Sequence, residues 1–428
     1  MKALLVLATR SAWFRRGTLA LVVLSIALAT LLLLSLERMR TDIRAGFSQA
    51  VSGTDLVVGA RTGPVQLMLF SVFHIGGATN GVRMDSLRAI ANHRAVAWML
   101  PLALGDSHHG FAVLGSTPEY FTRFLYGDKQ TLALAQGRAF AGTLDGLYEG
   151  VVGAEVADAL GYQLGQRITL SHGMNSSPGG ALSNDHGDKP FTLVGILART
   201  GTPVDRTVHV SLQAIEAIHL EWAGGAPLPG MKVAPELARK FDLEPKVVTA
   251  ALVGLKSRAA VFNVQRFVAQ FEAEPLMAVL PGVALDELWE VIGVGERALM
   301  GMSAMVALVS LAGLVAVVLA GLNERRRELA VLRAVGAGPR HVLLLLVVEG
   351  AWVTLLGALL GLIASVAVVL FAAPWVQARF GISMQLGAPT ATQWALLGGV
   401  LLAGMLASLA PAFRAYRLSL IDGLSPRA

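Results

Sequence analysis

The sequence predicts a membrane α-helical protein: four transmembrane helices, with a large α/β extracytoplasmic domain inserted between helices one and two. Composition is the first reason. Of 428 residues, 54% are hydrophobic and 15% charged, with mean hydropathy +0.60, beyond the usual range of a soluble domain. Placement is the second. Segments 17–36 and 297–322 carry only Arg297 at an edge, and 341–373 and 392–412 carry one acidic residue, Glu349. Each is long enough to cross a hydrocarbon layer that needs about 20 helical residues.

Charge asymmetry is the third reason and gives the orientation. Lys2, Arg10, Arg15 and Arg16 precede the first span; Arg325, Arg326, Arg327, Arg333 and Arg340 separate the second and third; Arg414, Arg417 and Arg427 follow the fourth. The 374–391 connection holds only Arg379. Positively charged segments stay inside. Residues 1–16, 323–340 and 413–428 are therefore expected in the cytoplasm, and 37–296 and 374–391 outside, as in a multi-pass protein of the inner (cytoplasmic) membrane with its large domain in the periplasm. The net charge of +6 is then a topology signal, and no nucleic-acid partner is expected. A cleaved leader is the competing reading of the first span. The apolar run is long and Leu36-Glu-Arg-Met-Arg40 lacks a small-x-small site, so a retained anchor is expected. The absence of cysteine excludes disulfides and thiolate–metal chemistry.

Within 37–296 the pattern is mixed. Strand-like runs occur at 55–60, 95–104, 111–114, 167–171, 191–197, 207–210, 247–255 and 276–280, and helical periods at 84–94, 154–160, 212–218, 257–272 and 284–296. Residues 173–190 are rich in turn formers and read as an exposed loop between two strands that can pair as a hairpin. Residues about 115–190 are expected to form an inserted, β-richer lobe. Leu36, Met39, Ile43 and Phe47 extend the first span's apolar stripe outward, and Leu285, Leu288 and Ile292 approach the second span in the same way. Both spans are expected to continue as stalk helices, ten residues of which reach about 15 Å above the membrane. Ordinary surface helices on the domain core are the alternative; direct continuity with the spans favours stalks.

The 323–340 hinge is patterned as a short helix. Asn323 is a capping residue, Glu324 suits the positive N-terminal end, Leu329, Leu332 and Val335 form an apolar face, and Gly336 and Gly338-Pro339 stop it. A basic loop would satisfy the positive-inside rule without this helix; the interleaved Glu324, Arg325, Arg326, Arg327, Glu328 and Arg333 instead suit a surface gripped by another protein. Glu349, inside the third span, is expected to contact this helix through Arg325, Arg326 or Arg333, or else to face interfacial water. Gly357 and Gly361 form a small-x-x-x-small face for close helix packing, whether within the chain or between copies.

Eight of the nine histidines, including His74, His93, His209 and His219, lie in the outer domain. No pair has helical ligand spacing. His108 and His109 with Asp106, joined by His172 and His186, are the best metal candidates; satisfied structural histidines are the plainer reading. No Gly-x-Ser-x-Gly, His-Glu-x-x-His or Gly-x-x-x-x-Gly-Lys-Ser/Thr run occurs. No enzyme activity and no cofactor are expected of this chain itself.

Glu324-Arg-Arg-Arg-Glu-Leu-Ala-Val-Leu-Arg-Ala-Val-Gly-Ala337 followed by Glu349-Gly350 resembles the signature of MacB/FtsX-like ABC-transporter permeases. The 191–197 and 205–210 runs and the tail Pro411-Ala-Phe-Arg-Ala-Tyr-Arg-Leu-Ser-Leu-Ile-Asp-Gly-Leu424 are similar too, although Leu420 and Gly423 stand where the family usually has Pro and Ala. The resemblance implies a permease docked through 323–337 on a separate ABC ATPase dimer, which binds the ATP and Mg. It also implies pairing with a second copy or a paralogue, and stalk motion driven by ATPase closure. Lipoprotein, peptide or drug release, with a periplasmic adaptor or substrate-binding protein, fits that class. A receptor or scaffold regulating a periplasmic partner such as a wall hydrolase, or metal-linked transport, is the alternative.

Overall fold

The computed structural model describes residues 16–77, 80–173, 186–223, 226–227, 233–324, 337–380 and 387–417. Four long helices carry the apolar spans: α1 (Arg16–Gln49), α2 (Pro281–Glu324), α3 (Pro339–Phe380) and α4 (Ala391–Arg417). All four are long and apolar enough to cross a membrane. The chain divides into two compact units, Ile43–Ile292 with Val376–Ser383, and Met1–Asp42 with Gly293–Trp375 and Met384–Ala428. The divisions fall inside α1 and α2, near the end of α3, and in the segment that follows it.

In the helical unit, Leu19, Val22 and Ile26 of α1 pack with Leu314 and Val318 of α2, Val342, Leu346 and Val353 of α3, and Ala412 of α4. Large side chains on the other faces, among them Leu308, Leu360, Phe371 and Leu406, are exposed. An apolar exterior of this kind suits lipid or another apolar helix, because removing it from water is favourable at about 25 cal/mol per Å².

The other unit is built on one sheet. Its main strands are β1 (Leu56–Ala60), β2 (Val96–His108), β3 (Phe111–Ser116), β4 (Leu134–Gly137), β5 (Glu149–Val152), β6 (Phe191–Leu197), β7 (Thr207–Ser211), β8 (Ala250–Leu255) and β9 (Leu276–Val279). They lie in the order β9-β1-β8-β2-β3-β7-β5-β6-β4. Pairing is antiparallel except between β3 and β7 and between β5 and β6. Alternation along the strands divides the core in two. Val57, Ala250, Leu252 and Val279 join Leu67 and Met68 of the helix at 64–71 on one face. Leu56, Val58, Ala251, Val253 and Ala278 join Leu87 and Ile90 of the 84–91 helix and Val264 and Val268 of the 261–269 helix on the other. A third cluster, from Val113 to Leu243, draws on residues on both sides of the 115–190 stretch.

Most expected strands and helices are present. Phe191 and Thr192 pair with Ile168 and Arg167 as the hairpin reading requires, but Ser171 and His172 turn away and pair with β2. β2 itself runs on to His108 rather than ending at Leu104. The helix at 64–71 and strands β4 and β5 are additions. β4 is an exposed edge and β5 has four residues, so neither shows a period long enough to read.

Candidate functional site

Two constellations stand out, one in each unit. In the helical unit, Arg40 of α1 donates from Nε to Glu296 Oε2 of α2 across 3.0 Å, and from Nη1 to Glu37 Oε2 across 3.3 Å. Glu37 is 3% exposed. Arg38, one residue pair away, donates to Asp42 at 3.2 Å and to the carbonyl of Gly387 at 3.2 Å. Beyond the apolar spans, α1 and α2 are therefore tied by charge. The stalk stripe differs from expectation accordingly. Met39 and Ile292 are exposed, while Leu285 and Leu288 pack into the core of the α/β unit with Val57 and Val279. Leu36 is half-buried, and Ile43 and Phe47 lie on the helical stretch of α1 whose side chains are outside the description. A stripe at helical spacing shows which face is apolar, but not what covers it.

Gly357 and Gly361 of α3 face α1 in the same chain. A Cβ on Gly357 would stand 2.7 Å from Ile26 Cβ, and one on Gly361 would stand 2.6 Å from the Ala27 carbonyl oxygen and from Thr30 Cβ. The small face is thus occupied by α1, which answers the choice between intrachain packing and a seam between copies. Gly404 of α4 meets Thr354, and Gly350 meets Ser408, in the same manner. Glu349, next to Gly350, is half-buried. Glu324 ends α2; Arg325, Arg326, Arg327, Glu328, Leu329, Leu332, Arg333 and Gly336 lie outside the described residues.

The second constellation is in the α/β unit. Asp106, His172, His186 and His219 each present one ligand atom, all within 4.8 Å of one another. His172 stands opposite Asp106 in the β-ladder, and His219 closes the helix at 212–219. His172 Nδ1 is 3.0 Å from Asp106 Oδ1 and 3.0 Å from His219 Nε2, which is itself 3.3 Å from Asp106 Oδ1. His219 Nδ1–H donates to the Ile215 carbonyl at 2.8 Å, leaving Nε2 to face the group. Burial opposes ionisation of Asp106, but its bonds from His172 and His219 outweigh that and hold the carboxyl at about 2. Burial also pushes the His186 imidazole down to about 4.

His108 and His109, the leading metal candidates from the sequence, are placed elsewhere. His108 donates from Nδ1 to the Thr169 carbonyl and accepts at Nε2 from the Tyr162 hydroxyl, both at 2.6 Å. Those bonds engage both ring nitrogens. His109 sits exposed at the hairpin tip with φ 48°. The structure brings Asp106, His172 and His186 together and adds His219, whose distance along the chain hides a helix end that points back to β2.

Residues 17–260 match the MacB-like periplasmic core domain, and residues 300–420 the FtsX-like permease C-terminal domain. No curated protein matches. Among solved structures, the periplasmic region of MacB from Actinobacillus actinomycetemcomitans is similar over 56% of this chain and 97% of that one, at 10% identity and TM-score 0.33. The extracellular domain of the noncanonic ABC-type transporter YknZ from Gram-positive bacteria is similar over 52% and 98%, at 11% identity and TM-score 0.30. The two family models and the four apolar helices define a membrane permease with a sheet-rich periplasmic domain between its first helix and the rest. The chain belongs to the MacB/FtsX-like family of ABC transporter permeases, whose members work with ABC ATPase partners.

Proposed function

We propose that this chain is the transmembrane subunit of an inner-membrane ABC complex that couples ATP hydrolysis by a separate ATPase to movement of its periplasmic domain. The cargo is an extracytoplasmic substrate such as a lipoprotein, peptide or drug. The observation that carries the reading is the Arg40–Glu37–Glu296 link. It links α1 to α2 at the point where both helices run on past their apolar spans, and so couples displacement of one to the other. The 323–337 segment supplies the input, docking on an ATPase dimer that holds ATP and Mg. Leu329 and Leu332 make the apolar contact, and Glu324, Glu328 and the arginines fix its register. A second copy or a paralogue completes the permease pair.

Co-purification in detergent with a small P-loop ATPase tests the reading. The wild-type chain is expected to bind the ATPase and change its turnover, and Glu328→Arg with Leu332→Asp to abolish both. ATPase binding and turnover unaffected by the double substitution would refute it.

A further inference from the structure

We propose that Asp106, His172, His186 and His219 form a binding site for one divalent transition-metal ion, with Zn²⁺ as the expected occupant in tetrahedral coordination. The first argument is distance. Ligand atoms about 2.0–2.1 Å from a zinc ion stand about 3.3–3.4 Å apart along a tetrahedral edge. The three separations among Asp106 Oδ1, His172 Nδ1 and His219 Nε2 are 3.0, 3.0 and 3.3 Å. His186 presents a fourth ligand atom within 4.8 Å of these three, and a small turn of its ring would bring it to the fourth position.

The second argument is the proton inventory. With Nδ1–H of His219 committed to Ile215, Nε2 is the nitrogen left to face Asp106 and His172. A cation entering there would displace the protons shared among these atoms and take the Asp106 carboxylate, His219 Nε2 and His172 Nδ1 as ligands converging on one point.

The third argument is support. The His172↔Asp106 pairing is part of the β-ladder. Ser107 Oγ donates to the Gly173 carbonyl at 2.6 Å, and the Gly173 amide donates to Gly105 at 2.9 Å. The His186 amide donates to Leu170 at 2.8 Å. Asp106 and His186 are 3% and 2% exposed. Ligands held by backbone ladders before the ion arrives lose little entropy in binding it, and such outer bonds fix ring orientation.

Chemistry selects the ion. Three imidazoles and one carboxylate suit zinc and its transition-metal neighbours, whereas calcium and magnesium prefer six or more oxygens. Four protein ligands fill a tetrahedral shell and leave no place for a reactive water, as in a structural site. The ion would join β2, the 171–172 strand, the turn at 186 and the end of the 212–219 helix.

The test uses the untagged full-length chain in detergent, stripped with a chelator, dialysed and reloaded with ZnCl₂. Mass spectrometry is expected to find about one zinc per chain, with a raised melting temperature. Asp106→Ala and His172→Ala should lower the bound zinc about tenfold or more and remove the thermal shift, while His93→Ala retains both. Because a variant can fail to fold, cobalt loading of the wild-type chain supplies a second readout, with intense visible bands of a tetrahedral nitrogen-rich site expected. Wild-type protein that takes up no zinc, cobalt spectra of a six-coordinate aquo-ion, or full zinc occupancy in both variants would overturn the proposal.

Discussion

Arg40 on α1 and Glu296 on α2 lie 256 positions apart in sequence and meet at 3.0 Å. The same guanidinium serves Glu37, a carboxylate with 3% exposure. Loss of the cation therefore differs from loss of the distal acid. Arg40→Met leaves Glu37 as a buried charge without this partner and should cost about 1–3 kcal/mol. Glu296→Gln keeps a neutral acceptor at a partly exposed position and should cost about 1 kcal/mol or less. Thermal unfolding of the detergent-solubilised chain checks the order. Exchanging the charges, Arg40→Glu with Glu296→Arg, should not restore stability, because residue 40 would then face Glu37 with like charge.

Close packing of α3 on α1 gives a second prediction. Gly361→Leu forces a side chain toward the Ala27 carbonyl at a site with no free space. A displaced helix backbone costs about 1–3 kcal/mol, so the yield of monodisperse protein should fall. Gly398→Leu, at a position where a Cβ meets nothing within 4 Å, should leave yield unchanged in size-exclusion chromatography.

Lys189 is 1% exposed and pairs with Glu221, whose Oε1 also accepts the Val233 amide at 3.0 Å. Lys189→Met alone should destabilise the chain by about 3–5 kcal/mol, since it isolates a buried carboxylate. Lys189→Met with Glu221→Gln removes the orphan charge and keeps an acceptor for Val233. Most of the lost stability should return in the double variant's thermal unfolding curve.

Acid should weaken the α/β unit through His209. This imidazole is 1% exposed beside Tyr120 and Phe121, and burial, then the nearby His74, lower it to about 3. Burial lowers His74 to about 4. Both are neutral in the folded state at pH values where the unfolded chain, at about 6.5, already takes protons. The stability from keeping them neutral is complete above pH about 6.5 and is lost as pH falls toward 4. The melting temperature should drop across that window, and His209→Leu should shallow the slope.

The two units differ in how far the sequence discloses them. The spans and strands such as β1 and β7 were legible because hydrophobic length and strand runs are local properties. The family resemblance was carried by contiguous residues at the hinge and tail. The histidine group was only partly legible, because it depends on register: His172 reaches Asp106 through a ladder pairing across 66 residues, and His219 arrives from a helix end. No apolar alternation marks the extension of β2 past Leu104, because Gly105-Asp-Ser-His-His-Gly110 follows it, so the strand's passage through Asp106 leaves no local signal. The exposure of Met39 and Ile292 was hidden for the opposite reason, since a stripe shows an apolar face without its partner.

The central claim is that nucleotide binding by an ATPase partner moves the periplasmic domain. Because the chain contains no cysteine, spin labels placed by Val294→Cys and Phe262→Cys, two exposed positions, report a distance distribution by double electron–electron resonance, with singly labelled chains identifying any part that arises between copies. In the ATPase complex that distribution should shift between the nucleotide-free and ATP-trapped states, and the shift should disappear with Glu328→Arg and Leu332→Asp. An identical distribution in both nucleotide states, with the ATPase bound and hydrolysing ATP, would contradict the account.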